Sequence, residues 1–183
     1  RKISLVAPRA EKLLVLSTKL QERYLRLEVR VSTETRKCLP EADIVVTTTS
    51  AIEPVVDVGI LKPGAIVCDV ARPPDVSEES ARKRPDVLVV ESGEVKLPAG
   101  TKITYDLGLP EGIAYACLAE TILLALSRRF EHFTVGRSIS EEKVRIIGEL
   151  GKTHGFELAG IRSFGKEISE EHILEVRRRA GLA

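Results

Sequence analysis

The decapeptide GIAYACLAET, residues 112–121, sets a cysteine among small residues with a carboxylate and a hydroxyl close behind it. On a helix, Glu120 and Thr121 would share the face of Cys117, at i+3 and i+4. The thiolate is the attacking form of cysteine, and helix N-termini and cations favour it. A neighbouring carboxylate works in the opposite sense. Cys117 therefore reads in two ways, as a nucleophile or as a small apolar residue filling a helix contact. The other two cysteines carry less chemistry: Cys38 falls in a polar segment and Cys68 inside an apolar strand. The three form neither a disulfide framework nor a CxxC pair, which suits a reducing, cytoplasmic compartment. His132, His154 and His172 are too scattered to suggest a metal site.

The remaining polar residues of interest fall where strands end. In open α/β sheets, ligands gather at the carboxyl ends of parallel strands. The loop APRAEK, after KISLV, has no acid until Glu11 to grip the ribose hydroxyls of NAD. Arg9 and Lys12 suit a 2′-phosphate instead, and so favour NADP. The TTTS loop offers Thr48, Thr49 and Ser50 to a cofactor ribose, or simply as caps for the next segment. DVARPPD puts Ala71 and Arg72 beside a loop stiffened by Pro73 and Pro74. Ser92 and Gly93 form a turn after the following strand. No GxGxxG or similar glycine-rich turn occurs, so a pyrophosphate-binding turn is expected upstream of Arg1.

These loops need a scaffold, and the hydrophobic pattern supplies one. Short apolar runs at 2–7, 43–50, 64–71 and 86–95 read as strands, and 25–32 alternates as a strand with one exposed face. A helix over 10–24 is marked by Leu13, Leu16 and Leu20. Residues 33–42 suggest a short helix, and 54–63 a crossover segment. The strands at 44–46 and 65–70 read as buried on both sides. Strands alternating with helices predict βαβ units in a Rossmann-like, mostly parallel sheet with helices on both faces. Beyond about residue 100 the pattern turns helical. Pro110 is expected to open a long helix to Phe130. Ser77, Ser140 and Ser169 each precede two glutamates and read as helix caps, and Gly181 as a stop. The expected division is an α/β part over 1–108 and a helical part over 109–183.

Bulk composition limits the alternatives. The 183 residues carry 28 basic and 27 acidic side chains, for a formal charge of +1, which gives no ground for a nucleic-acid partner. With 43% apolar and 30% charged residues, the chain has the balance of an ordinary globular protein. Its longest apolar run, 112–126, is broken by Glu120 and falls short of a membrane span. The sequence contains no methionine and enters a strand pattern at once, as part of a longer protein would.

Two stretches are recognisable. YACLAETILLALSRRFEHFTVGR (115–137) and IIGELGKTHGF (146–156) resemble the C-terminal region of cyanobacterial long-chain acyl-[acyl-carrier-protein] reductases, which share ACxAExxLL, FxxGR, IGE and HGF. LPEADIVV (39–46) and the Ser92-Gly93 turn are similar to that family's dinucleotide domain. DVARPPDV is similar to a loop of glutamyl-tRNA reductases and shikimate-dehydrogenase-like domains. The resemblance implies NADPH-dependent reduction of a fatty acyl thioester, carried by acyl carrier protein or CoA, to an aldehyde. It places the acylated nucleophile on Cys117 and makes His154, in HGF, a further catalytic candidate. The chain lacks that family's N-terminal acyl-binding region. Two other readings stay open: an amino-acid or hydroxy-acid dehydrogenase without covalent catalysis, and a non-catalytic NADP-binding module.

Overall fold

A computed structural model describes residues 1–136 and 139–182 as an α/β fold of two compact units. Arg137, which closes the FxxGR motif, lies outside the described residues.

The first unit comprises Arg1–Glu91 and the segment from Ile168 onward. It opens with β1 (Lys2–Val6), α1 (Ala10–Arg23) and β2 (Glu28–Ser32), a βαβ unit whose strands pair in parallel from Lys2 opposite Glu28 to Val6 opposite Ser32. The buried row of α1 runs through Leu13 and Ser17, and Leu16 is exposed. That i, i+4 row replaces the expected Leu13-Leu16-Leu20 stripe. Residues 33–42 make two single turns of 3-10 helix, Thr35–Lys37 and Leu39–Glu41, instead of one helix.

Three further strands, β3 (Ile44–Thr47), β4 (Ile66–Asp69) and β5 (Leu88–Glu91), run parallel in one register. Their last residues align: Thr47 opposite Asp69, and Asp69 opposite Glu91. Val67 and Asp69 are buried on one face of β4, but Ile66 is exposed and Cys68 half-buried on the other, so the expectation of burial on both sides is not met here. The same expectation fails at β3, where Ile44 and Val46 are each 64% exposed. These two alternate onto a sheet face that is open among the described residues, while Thr47 turns to the buried side. Between β3 and β4 the crossover holds only a 3-10 turn, Val58–Ile60, capped by the Asp57 carboxylate. The Arg84 guanidinium donates to the carbonyls of Val58 and Gly59 and pairs with Asp86, fastening this crossover to the segment that leads into β5. Two short helices complete the unit. Ser77 caps α2 (Glu78–Arg82), and Ser169 caps α5 (Glu170–Arg179), which ends at Gly181 with φ of 71°.

The second unit, Ser92–Glu167, contains β6 (Glu94–Lys96) between β7 (Ile113–Tyr115) and β8 (Glu157–Leu158), all antiparallel. Two helices follow β7: α3 (Ala116–Leu126) and α4 (Glu141–Thr153), the latter capped by Ser140. A small hairpin joins β9 (Arg162–Ser163) to β10 (Lys166–Glu167). The long helix expected from Pro110 is absent. Gly112 takes a φ of 79°, and residues 113–115 pair with β6 before the helix begins at Ala116. The antiparallel ladder offers these residues hydrogen bonds that a helix start would leave unmade.

Candidate functional site

The shortened helix changes the setting of Cys117. It occupies the second position of α3 and is exposed, where the expected helix would have put it two turns inside. Its neighbourhood is built by the turn at Ser92 and Gly93. Gly93, with φ of 86°, presents its carbonyl to the amide of Ala116 at 2.7 Å. The ladder from Glu94 opposite Tyr115 continues this contact. Glu94 also meets Arg162 at 3.4 Å in a largely buried ion pair, which fixes β6 beside the helix start. Two residues expected to touch a cofactor thus adjoin the candidate nucleophile.

The first turn of α3 differs from those of the other helices. Ser77, Ser140 and Ser169 cap α2, α4 and α5, each with two glutamates in the first turn. The first turn of α1 holds Glu11. Among the described residues, α3 has neither a side-chain cap nor an acid in its first turn. The positive end of its dipole thus meets no acidic side chain of its own first turn. Glu120, the carboxylate one turn on, accepts a hydrogen bond from the Thr134 hydroxyl. Thr121 bonds back to the carbonyl of Cys117 at 3.3 Å.

His154 stands elsewhere. It is the C-cap of α4, and its Nε2 lies 3.2 Å from the hydroxyl of Ser127, the C-cap of α3. Ten residues of helix, about 15 Å at the usual rise, separate Ser127 from Cys117. The structure does not bring the two catalytic candidates together.

At the carboxyl ends of the strands, the candidates sort by accessibility. Arg9 and Lys12 stand exposed at the start of α1, with no ion-pair partner among the described residues. Thr48 and Ser50 are exposed just past β3. Thr49 is engaged internally: its hydroxyl donates to Asp75 at 2.5 Å and its amide to the same carboxylate at 3.2 Å. Ala71 is buried, and its amide donates to Asp69 at 3.0 Å. Arg72 turns back onto the Ala71 carbonyl at 2.8 Å and precedes a cis peptide bond to Pro73.

Asp69 and Asp75, both almost fully buried, were not singled out by sequence reasoning. Asp75 gathers the hydroxyl of Thr47 and both donors of Thr49, so it ties the loop after β3 to the loop after β4. Asp69 accepts from the amides of Ala71 and Val76 and closes the second loop on itself. Burial pushes the Asp69 carboxyl above its ordinary range, and those amides hold it partly down. The available signal was the pair of acids bracketing DVARPPD, which is more than a solvated loop needs.

The strand ends thus present Arg9 and Lys12 at a helix start, and the exposed Thr48 and Ser50 beside the loop held by Asp69 and Asp75. Among the described residues there is no helix long and apolar enough to cross a membrane and no His, Cys, Asp and Glu cluster able to hold a metal.

No protein-family model matches the chain. Among curated proteins it is similar to aminotransferase PigE of Serratia sp. (strain ATCC 39006), with 31% identity over 166 residues, 89% of this chain and 19% of that protein. It is also similar to the long-chain acyl-[acyl-carrier-protein] reductase of Synechococcus elongatus, with 29% identity over 154 residues, 79% of this chain and 45% of that protein. The chain thus spans about a fifth of one relative and less than half of the other. Both relatives are named as enzymes.

Proposed function

We propose that this chain carries the cofactor-binding and nucleophile-bearing parts of an NADPH-dependent reductase that converts a fatty acyl thioester to an aldehyde. The observation behind this reading is Cys117, exposed at the second position of an uncapped helix whose first amide is held by Gly93. The similarity to an acyl thioester reductase supports it.

The first unit fits the role of an incomplete Rossmann-like sheet. Its parallel strand sets, β1-β2 and β3-β4-β5, each keep an outer edge, at β1 or β3, unpaired among the described strands. Arg9 and Lys12 would hold the 2′-phosphate, Thr48 and Ser50 a ribose, and the amides of the Asp69-clasped loop would border the same site. When bound, the cofactor supplies a hydride.

The residues of the second unit do the acyl chemistry. The Cys117 thiolate attacks the thioester carbonyl; the new carbon–sulfur bond forms as the bond to the carrier sulfur breaks, and the carrier thiol takes up a proton. The acyl group then rests on Cys117 Sγ as a thioester. Once the carbonyl carbon is reduced, that carbon–sulfur bond breaks, the aldehyde departs and the thiolate returns. Negative charge forms on Sγ before the first step and after the last. Both times it meets the positive end of the α3 dipole, whose first turn has no side-chain cap.

The test uses the intact protein with an acyl thioester and no NADPH. One acyl group should add to the peptide containing Cys117, be removed by hydroxylamine, and be missing in Cys117→Ser, which should also make no aldehyde. A folded Cys117→Ser protein that still forms aldehyde would leave a dehydrogenase without covalent chemistry.

A further inference from the structure

We propose that a groove along α3 is the binding site for the hydrocarbon chain of an acyl group carried on Cys117. This rests on the thioester reading above and adds where the chain lies and which side chains select it.

After α3 the chain reverses at Arg128, with φ of 52°, and runs back along the helix towards its N-terminus. The contact of Thr134 with Glu120 fixes that return. Between helix and returning segment lies an open groove of about 580 Å³, bounded by Thr121 and Leu124 on one wall and Phe130 and Val135 on the other, with Phe133 nearby on the same segment. Phe133 is buried and held between the cations of Arg129, at 4.9 Å, and Lys143, at 5.1 Å. Phe130 and Val135, in contrast, are 83% and 69% exposed and leave apolar surface open on this wall.

Two observations identify the occupant as an alkyl chain. The first is continuity with the nucleophile. Cys117, Thr121 and Leu124 occupy i, i+4 and i+7 of one helix face, so the groove begins one turn from the sulfur and follows the helix away from it. The second is that key polar groups along the groove are already occupied: Glu120 by Thr134, Arg129 by Glu131, and the Lys143 ammonium by the Phe133 carbonyl. Leu124, Phe130 and Val135 remain as the apolar part of a lining that also holds Glu131 and His132, and an acyl chain attached at Cys117 would cover them.

The experiment measures acylation of Cys117 in the intact protein by butanoyl-, octanoyl- and dodecanoyl-CoA. The rate constant should rise with chain length, by up to about fourfold for each methylene that becomes buried. Phe130→Ala and Leu124→Asn should each lower the dodecanoyl-to-butanoyl ratio by about tenfold or more. Equal rates for all three thioesters, or a ratio that neither substitution changes, would overturn the groove while leaving Cys117 as nucleophile. Should no thioester acylate Cys117, the catalytic reading fails and the groove is judged by binding. Dodecanoate should displace a fluorescent fatty-acid probe from the parent and do so less well from Phe130→Ala. No displacement, or equal displacement from both proteins, would overturn the proposal.

Discussion

His154 and Ser127 meet at 3.2 Å where α3 and α4 end, at the opposite end of α3 from Cys117. This contact gives His154 a structural task, joining the last turns of two helices. His154→Ala is expected to lower stability by about 1 kcal/mol, the usual worth of one such hydrogen bond. Acylation of Cys117 should persist within about twofold, which peptide mass mapping after a timed incubation would measure. Loss of acylation in a folded variant would show that the histidine reaches the chemistry after all.

Asp75 is the acceptor for three donors from Thr47 and Thr49. Asp75→Ala leaves those donors without their partner inside the protein and should cost about 2–4 kcal/mol in urea unfolding. The loop holding Thr48 and Ser50 loses its tether to the neighbouring loop in the same change. NADPH affinity should therefore fall even in solutions cold and dilute enough in denaturant for the variant to stay folded.

Arg9 and Lys12 have no acidic partner among the described residues that would explain them as a structural pair. In the intact protein, Arg9→Ala combined with Lys12→Ala should reduce the preference for NADPH over NADH by about tenfold or more, the worth of a lost charge-assisted hydrogen bond. NADH binding itself should change little. Equal affinity of the parent for both cofactors would remove the role assigned to these two cations.

The Arg84 guanidinium beside Asp86 holds that carboxyl below its ordinary range, outweighing a partial burial that acts the other way. A carboxylate with a depressed folded value stabilises the fold above its unfolded value, near 4, and that share is lost as pH falls through the folded value. Asp86→Asn should remove this part of the acid sensitivity. Parallel urea titrations between neutral pH and about pH 3 should show the parent losing its advantage over the variant as the solution is acidified.

How much of this was readable in advance depends on how far apart the deciding residues lie. The caps at Ser77, Ser140 and Ser169 involve partners three residues away, and each was identified correctly with its paired glutamates. The parallel strands declared themselves by their apolar runs. By contrast, the strand at Ile113–Tyr115 exists because β6 lies alongside it, and a partner nearly twenty residues upstream leaves no mark on local periodicity. The same contact moved Cys117 to a helix start. Asp75 was invisible for a related reason: a loop aspartate looks solvated until the donors that surround it, 26 and 28 residues earlier, are known. Ile44 and Val46 look like core residues in sequence, and only the bare sheet face around them shows otherwise.

That bare face bears on how the chain behaves in a test tube. Among the described strands, the outer edge of β3 has no strand partner, and its sequence, IVVT, is β-branched throughout and carries no charge or proline. Such an edge is a template for a strand from another molecule, and natural sheets usually blunt it with lysine or proline, or cover it. Solutions of this chain should therefore self-associate as concentration rises. Val46→Lys, at a position already open to water, should keep them monodisperse in light scattering without loss of the fold.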